Sequence, residues 1–337
     1  MKKYLIYRTD RVGDFIVTCI LIKNIKRNNP NSNISVICSR KNYAYASTLS
    51  FIDNTILYPD SLIKKIFLNF ALLKNKYECI FSLDGKKRSL LGTIILRSKI
   101  KIFSVTKRIY KLFFSFFYKN VFYVKDYKFR IDEFKIILSK LNFDYKNEDL
   151  NIFDNETFFS KNNFITNINS KSFILFHLDE KWLTATYKDR KGPRNFKAID
   201  PSNEKLLEFF KQVINKTKLD IVITPGANKN ILINDLKKKI NKSITGANYM
   251  EYEKKNIFII NDLSFTDLKF IIKKAKLLIT CHGSPTHIAS SFNVDIIDIF
   301  DEKTQDFYIF WTHHLRNYKY LYRENFNSLS NKIINLI

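Results

Sequence analysis

The sequence predicts two α/β domains, each a doubly wound parallel sheet. Three observations predict it. Short continuous apolar runs of strand length alternate with segments of helical period along most of the chain, the pattern of parallel strands buried on both faces. That alternation breaks down over residues 142–170, which are rich in Asn, Asp and Lys, and then begins afresh. A chain of 337 residues is also long enough to bury two separate cores.

The elements follow in order. Tyr4–Tyr7 is the first strand, and Phe15–Lys26 the first helix, with Ile16, Cys19, Ile20 and Lys23 at helical spacing. Pro30 and Asn31 turn the chain into a second strand, Ile34–Cys38, and strand-like runs recur at Ile56–Leu57, Cys79–Leu83 and Ile100–Phe103. A linker is expected near 150–170. Beyond it come strand Phe173–Phe176, helix Asn203–Lys216, strand Asp220–Thr224, helix Ile231–Ile240 and strand Asn256–Ile260. Helix Thr266–Ala275, strand Leu277–Cys281, helix Pro285–Phe292 and strand Asp295–Phe300 complete the alternation, and Phe326–Ile337 reads as a closing helix. The expected domains are therefore 1–160 and 161–325, with 326–337 closing the chain.

Composition narrows the function classes. Hydrophobic content of 45% and charged content of 26% are those of a soluble globular protein, but the net charge is +25. So basic a chain favours anionic partners: nucleic acid, phosphorylated small molecules or an anionic membrane face. No recognised nucleic-acid motif is present. The four cysteines are scattered without a CxxC pair, which argues against a zinc site or a disulfide framework and fits a reducing cytosol. The apolar run near the N-terminus is too short for a signal-peptide core, and no stretch reaches the roughly 18 apolar residues of a membrane span.

Ligands of such sheets bind at the carboxyl ends of the strands, so the turns after strands carry the chemistry. The first turn reads Arg8-Thr-Asp10-Arg11-Val-Gly13-Asp14. Only seven glycines occur in the chain, and Gly13 sits where the loop becomes helix, offering an unusual backbone shape or a close approach. Asp14 has two readings: a helix N-cap, or a carboxylate that takes a proton from a substrate hydroxyl. The crowding of Arg8, Asp10, Arg11 and Asp14 favours the second. A lone glycine is not a dinucleotide fingerprint.

The late turn, Cys281-His282-Gly283-Ser284-Pro285-Thr286-His287, joins an apolar strand to a helix whose free N–H groups form a ready phosphate site. His282 and His287 flank its small residues. They read either as hydrogen-bonded structural histidines or as groups at a bound diphosphate. No acidic or thiol partners at ligand spacing point to a metal.

Together the two turns resemble glycosyltransferase family 9, the heptosyltransferases of lipopolysaccharide synthesis. The front match runs through "YRTDRVGDFIVTCILIKNIKRNNPNSNISVI", and the rear match through "AKLLITCHGSPTHIASSFNVDIIDIF". Here His282 stands where the family usually has Asp, and the Ser-Gly order is reversed as Gly283-Ser284. In "HLDEKWLTATYKDRKGPRNF", Lys181 and Trp182 are the candidate counterparts of the family's Lys and Trp. The resemblance implies a GT-B architecture: two facing Rossmann-like domains with an interdomain cleft, the nucleotide sugar bound by the second and the acceptor by the first. It implies inverting, metal-independent transfer of a sugar, heptose from ADP-heptose in the family, to a lipopolysaccharide, lipooligosaccharide or other surface glycan, with no cofactor.

Carried over by residue, Asp14 is the general base. Arg8, Asp10, Arg11 and Gly13 are acceptor-binding. Lys181, Arg190, Arg194, His282, Gly283, Ser284, Pro285, Thr286 and His287 are donor-binding. The segment 99–130, in which Leu112, Phe113, Phe114, Phe116 and Phe117 lie between Lys111 and Lys119, reads as an interfacial helix or as a core helix under a basic surface. The first reading puts the protein in the cytoplasm, peripheral at the inner membrane. Two alternatives are a basic nucleic-acid-binding protein and a sugar-nucleotide epimerase of the same architecture.

Overall fold

The computed structural model describes residues 1–153, 160, 162–186, 188–189, 192–193, 196–226, 231–240, 242–260 and 263–337. Two compact units result: Met1–Glu156 with Ile309–His314, and Thr157–Tyr308 with Leu315–Ile337. The divide thus falls a few residues before the expected one, and a short late segment is counted with the first unit.

The first unit runs β1 (Lys3–Arg8), α1 (Val12–Asn28), β2 (Asn33–Cys38), α2 (Arg40–Ala46), β3 (Asn54–Leu57), α3 (Leu62–Leu73), β4 (Tyr77–Ser82), α4 (Lys87–Ile95), β5 (Ser98–Val105), α5 (Arg108–Phe117), β6 (Val121–Tyr123) and α6 (Arg130–Ser139). Its six strands are ordered β3-β2-β1-β4-β5-β6, all parallel. Leu5 and Ile6 of β1 are wholly buried, as a central strand covered on both faces requires. Helix α1 is buried on every side from Phe15 to Ile22, with Ile25 beyond, as an apolar helix covered by its neighbours must be. Each buried Phe, Leu, Ile or Val side chain contributes about 1.5–3 kcal/mol.

The second unit runs α7 (Asn163–Asn167), β7 (Phe173–Leu178), β8 (Lys188–Asp189), β9 (Gly192–Pro193), α8 (Asn203–Thr217), β10 (Asp220–Pro225), α9 (Ile231–Lys239), β11 (Lys242–Ile244), β12 (Ala247–Tyr252), β13 (Lys255–Ile260), α10 (Phe265–Lys274), β14 (Leu277–Cys281), α11 (Ser284–Ser291), β15 (Asp295–Phe300), α12 (Gln305–Thr312), β16 (Tyr318–Tyr322) and α13 (Phe326–Leu336). Helix α12 ends in the segment counted with the first unit. The eight-stranded sheet is ordered β11-β12-β13-β10-β7-β14-β15-β16. Its core holds Phe176, Trp182, Phe209, Phe210 and Ile279, joined by Phe326, Leu329 and Ile333 of α13.

Three expectations change. The linker is not structureless throughout: α7 buries Phe164 and Ile165, and Phe164 packs 4.6 Å from Phe258 in the second unit. The segment 99–130 is not one helix, because β5 and β6 occupy its ends and only Arg108–Phe117 is α-helical. Within that helix Phe114 alone is buried, so it is not a core helix either. The antiparallel strands β11 and β12 also escape a search for strand–helix alternation, since a hairpin replaces the helix there.

Candidate functional site

In each sheet the order reverses at the first strand of the unit. Strands β2 and β4 flank β1, and β10 and β14 flank β7. The turns after β1 and β4, and after β7 and β14, therefore open at topological switch points, where the chain leaves in opposite directions and a crevice forms.

In the first unit three turns clamp the end of β1. The Asp84 carboxylate, just past β4, accepts from the Thr9 amide at 3.1 Å, the Thr9 hydroxyl at 2.7 Å and the Ser89 hydroxyl at 2.8 Å. Lys86 donates to the Thr9 carbonyl at 2.8 Å, and Arg88 donates to the Thr9 hydroxyl at 2.7 Å. From the other side, Asn42 donates to the Asp10 carbonyl at 3.1 Å. Gly85 takes φ of +61°, which β-carbon-bearing residues adopt at a cost. Asp84, Lys86 and Arg88 are absent from the site read off the sequence. The available signal was "SLDG", a carboxylate and glycine directly after a strand, the same arrangement that singled out Gly13 and Asp14 in reverse order.

Arg8 is corrected from a ligand contact to a buried support. It is 1% exposed, pairs with Asp10 at 3.2 Å and donates to the Leu83 carbonyl. The Arg130 guanidinium, equally buried, also reaches the Leu83 carbonyl and pairs with Glu133. Burial pushes the Asp10 carboxyl up to about 7, with the negative charges of Asp14 and Asp84 adding to the rise and Arg8 opposing it.

Asp14 is not an N-cap. The helix starts earlier, with Arg11 in the cap position, and Asp14 is its third residue. Gly13 has no positive φ, so the close approach it permits, not its backbone shape, is what remains of its expected role. The Asp14 side chain is half-buried and makes no hydrogen bond or ion pair among the described residues; only its backbone carbonyl is engaged, by Thr18 at 2.9 Å. Arg11 is exposed beside it. The first turn of α1 thus presents a carboxylate, an exposed guanidinium and the free amides of a helix N-terminus.

In the second unit Lys181 joins the two turns of the switch point. Its ammonium lies 2.6 Å from the Asp179 carboxylate and donates to the carbonyls of Cys281 at 3.1 Å and His282 at 2.7 Å. A β-carbon on Gly283 would stand 3.0 Å from that ammonium, so a side chain there would press on the contacts Lys181 makes. Burial raises the Asp179 carboxyl, and Lys181 pulls it back down. Trp182 is wholly buried and donates to the His177 carbonyl at 2.9 Å, so it anchors the turn and is not a ligand platform.

The buried Asp298 carboxylate organises the late turn. It accepts from the Thr286 hydroxyl at 3.0 Å and the Tyr318 hydroxyl at 2.9 Å, and lies 2.6 Å from His282 Nδ1. Thr286 is therefore a turn-fixing residue: its side chain faces Asp298 and also meets the Gly283 amide at 3.4 Å, leaving only its backbone N–H for a ligand. Pro285 is the second residue of α11, Ser284 the first, and His287 is buried in the same turn. The rings of His282 and His287 meet edge to face at 5.4 Å. Asp298 escapes the sequence reading, though a carboxylate inside the apolar strand "DIIDIF" was its signal. Arg190 and Arg194 lie outside the described residues. Among the described residues no group of three His, Cys, Asp or Glu could hold a metal ion, and no helix is long and apolar enough to cross a membrane.

No protein-family model matches the sequence, and no curated protein matches it. Solved structures do. The Escherichia coli heptosyltransferase WaaC with ADP is similar at 12% identity and TM-score 0.68, covering 99% of this chain and 100% of that one. A glycosyl transferase family 9 structure from Veillonella parvula matches at 13% identity and TM-score 0.64, covering 100% of this chain and 90% of that one. The UDP-GlcNAc 2-epimerase of Methanocaldococcus jannaschii matches at 13% identity and TM-score 0.56, covering 100% and 92%. The chain has the GT-B fold of these proteins, built from two Rossmann-like units.

Proposed function

We propose that the chain is an inverting glycosyltransferase that uses a nucleotide-diphosphate sugar, with ADP-heptose the first donor to try. The observation that carries this reading is the pair of switch-point sites: in one unit a carboxylate, Asp14, without a partner among the described residues, and in the other a helix N-terminus beside the Lys181 ammonium. Asp14 takes the proton of an acceptor hydroxyl. The acceptor oxygen bonds to the anomeric carbon as the bond from that carbon to the diphosphate oxygen breaks, and the electron pair leaves with the nucleoside diphosphate. The amides of Ser284 and Thr286, with His282 and His287 near them, stabilise the charge that develops on the phosphate, where fixed donors are most effective. Arg11 meets the acceptor, a lipid-linked or lipopolysaccharide-type glycan at the cytoplasmic face of the inner membrane.

The test is product detection by mass spectrometry with ADP-heptose and a lipid-linked core acceptor. Transfer that is lost in Asp14→Asn while donor binding persists supports the reading. A change of donor configuration without any acceptor would identify the epimerase chemistry that the same fold also carries.

A further inference from the structure

One face of the first unit's sheet is covered by helices that are themselves left bare. The steps β1 to β2 to β3 run one way across the sheet, and those from β3 to β4, β5 and β6 run the other. Right-handed crossovers therefore place α3, α4 and α5 together on the face opposite α1 and α2. Contacts bear this out. Lys65 of α3 and Arg88 of α4 both lie over the Tyr58 ring, and an apolar groove of about 300 Å³ runs between Leu90 and Leu91 of α4 and Ile109 and Phe113 of α5.

The outer surfaces of these helices are apolar. Leu72 is the buried residue of α3 and Phe114 that of α5. Outward-facing Leu62, Phe67 and Phe70 are 61–72% exposed, Leu91 is 62% exposed, and Leu112 and Phe116 are 69% and 85% exposed. Monomeric proteins seldom leave contiguous apolar surface of this kind without a partner.

Charge identifies the partner. Residues 61–119 contain fourteen Lys and Arg against two acidic residues, Glu78 and Asp84. Glu78 is paired with Lys99 at 3.0 Å, and Asp84 is spent on Thr9 and Ser89. A second copy would bring the same positive charge to the interface, which repels. Leu62, Ile63, Leu91, Ile109 and Leu112 are as exposed as the Phe rings beside them, and an acyl boundary takes both kinds of side chain where base stacking uses only the rings. We propose that the α3–α4–α5 face seats on an anionic lipid bilayer, with its Phe and Leu side chains in the acyl boundary and Lys64, Lys65 and Lys107 among the headgroup phosphates. This widens the interfacial element from the segment 99–130 to three helices, and it stands whether or not the chain transfers sugar.

The experiment is flotation of the full chain with phosphatidylcholine vesicles, with and without phosphatidylglycerol, read alongside the oligomeric state by light scattering. Wild type floats with the anionic vesicles and not the neutral ones, and Phe67→Asp/Phe116→Asp and Lys64→Glu/Lys65→Glu each lower the bound fraction by about tenfold or more. All four positions are on the surface, and unchanged far-ultraviolet dichroism shows that the variants fold. No flotation, equal flotation with neutral vesicles, or unaffected variants overturn the proposal. So does a wild-type dimer that Phe67→Asp/Phe116→Asp splits without any lipid binding. Donor titration of the same proteins reads the second unit, so its result is separate from this one.

Discussion

Asp14 and Asp10 lie four residues apart and do different work. Asp14 carries no side-chain partner among the described residues, whereas Asp10 is held against Arg8 and raised to about 7. We expect Asp14→Asn to lower kcat by about 10²–10⁴-fold with donor affinity unchanged, the usual scale for a lost general base; unchanged turnover removes the assignment. Ionisation of Asp10 adds a negative charge beside the reacting proton. The rate should therefore rise through a step near pH 7, and Asp10→Asn should abolish that step in the pH–rate profile. A profile with the same step in the variant assigns it to another group.

Lys181 gives a second residue-scale outcome. Lys181→Met leaves the buried Asp179 carboxylate without its nearest cation, with Arg323 acting only from further off, a change that costs up to about 3–5 kcal/mol. Urea unfolding followed by fluorescence should show this loss, and the double variant with Asp179→Asn should recover most of it. Equal stability of wild type and Lys181→Met would show that the pair does not hold the turn.

At the scale of elements, the strands were legible because parallel strands buried on both faces are short apolar runs. Asp295–Phe300 reads the same in sequence and structure. Helix starts were less legible. Val12 and Gly13 look like loop, but α1 begins there, and this moves Asp14 from cap to third residue. The late turn was found by its small residues and histidines. What holds it was not, because Asp298 and Tyr318 arrive from other strands and no local pattern announces such contacts. Asp298→Asn should loosen this turn, weakening donor affinity by roughly tenfold, the worth of about one charged hydrogen bond, while the first unit's site is untouched. Calorimetry on the variant checks this, and wild-type affinity would show the turn to be fixed otherwise.

At the scale of the whole molecule, His177 on the central strand of the second unit is buried, and that burial lowers it to about 3. In the unfolded chain a histidine binds its proton near pH 6.5, so between there and pH 3 the unfolded state holds more protons. Stability is full above that window and falls as pH drops through it, by up to about 1.4 kcal/mol per pH unit for this histidine. Urea midpoints at pH 7 and pH 5 should differ less in His177→Gln than in wild type; an identical difference would contradict the burial argument. The two-domain architecture itself was legible from the repeated strand–helix pattern, and the exposed α3–α4–α5 face was not, because which apolar side chains of these helices meet the sheet depends on how the helices pack.

The central claim is that the second unit binds a nucleotide-diphosphate sugar at the start of α11. The most direct test is calorimetric titration of ADP-, GDP-, UDP- and CMP-linked sugars into wild type and His287→Ala, at moderate salt to screen non-specific attraction to so basic a chain. Saturable binding selective for one base is expected, weakened about tenfold or more in the variant. No binding to any of the four would contradict it and return both turns to a structural role.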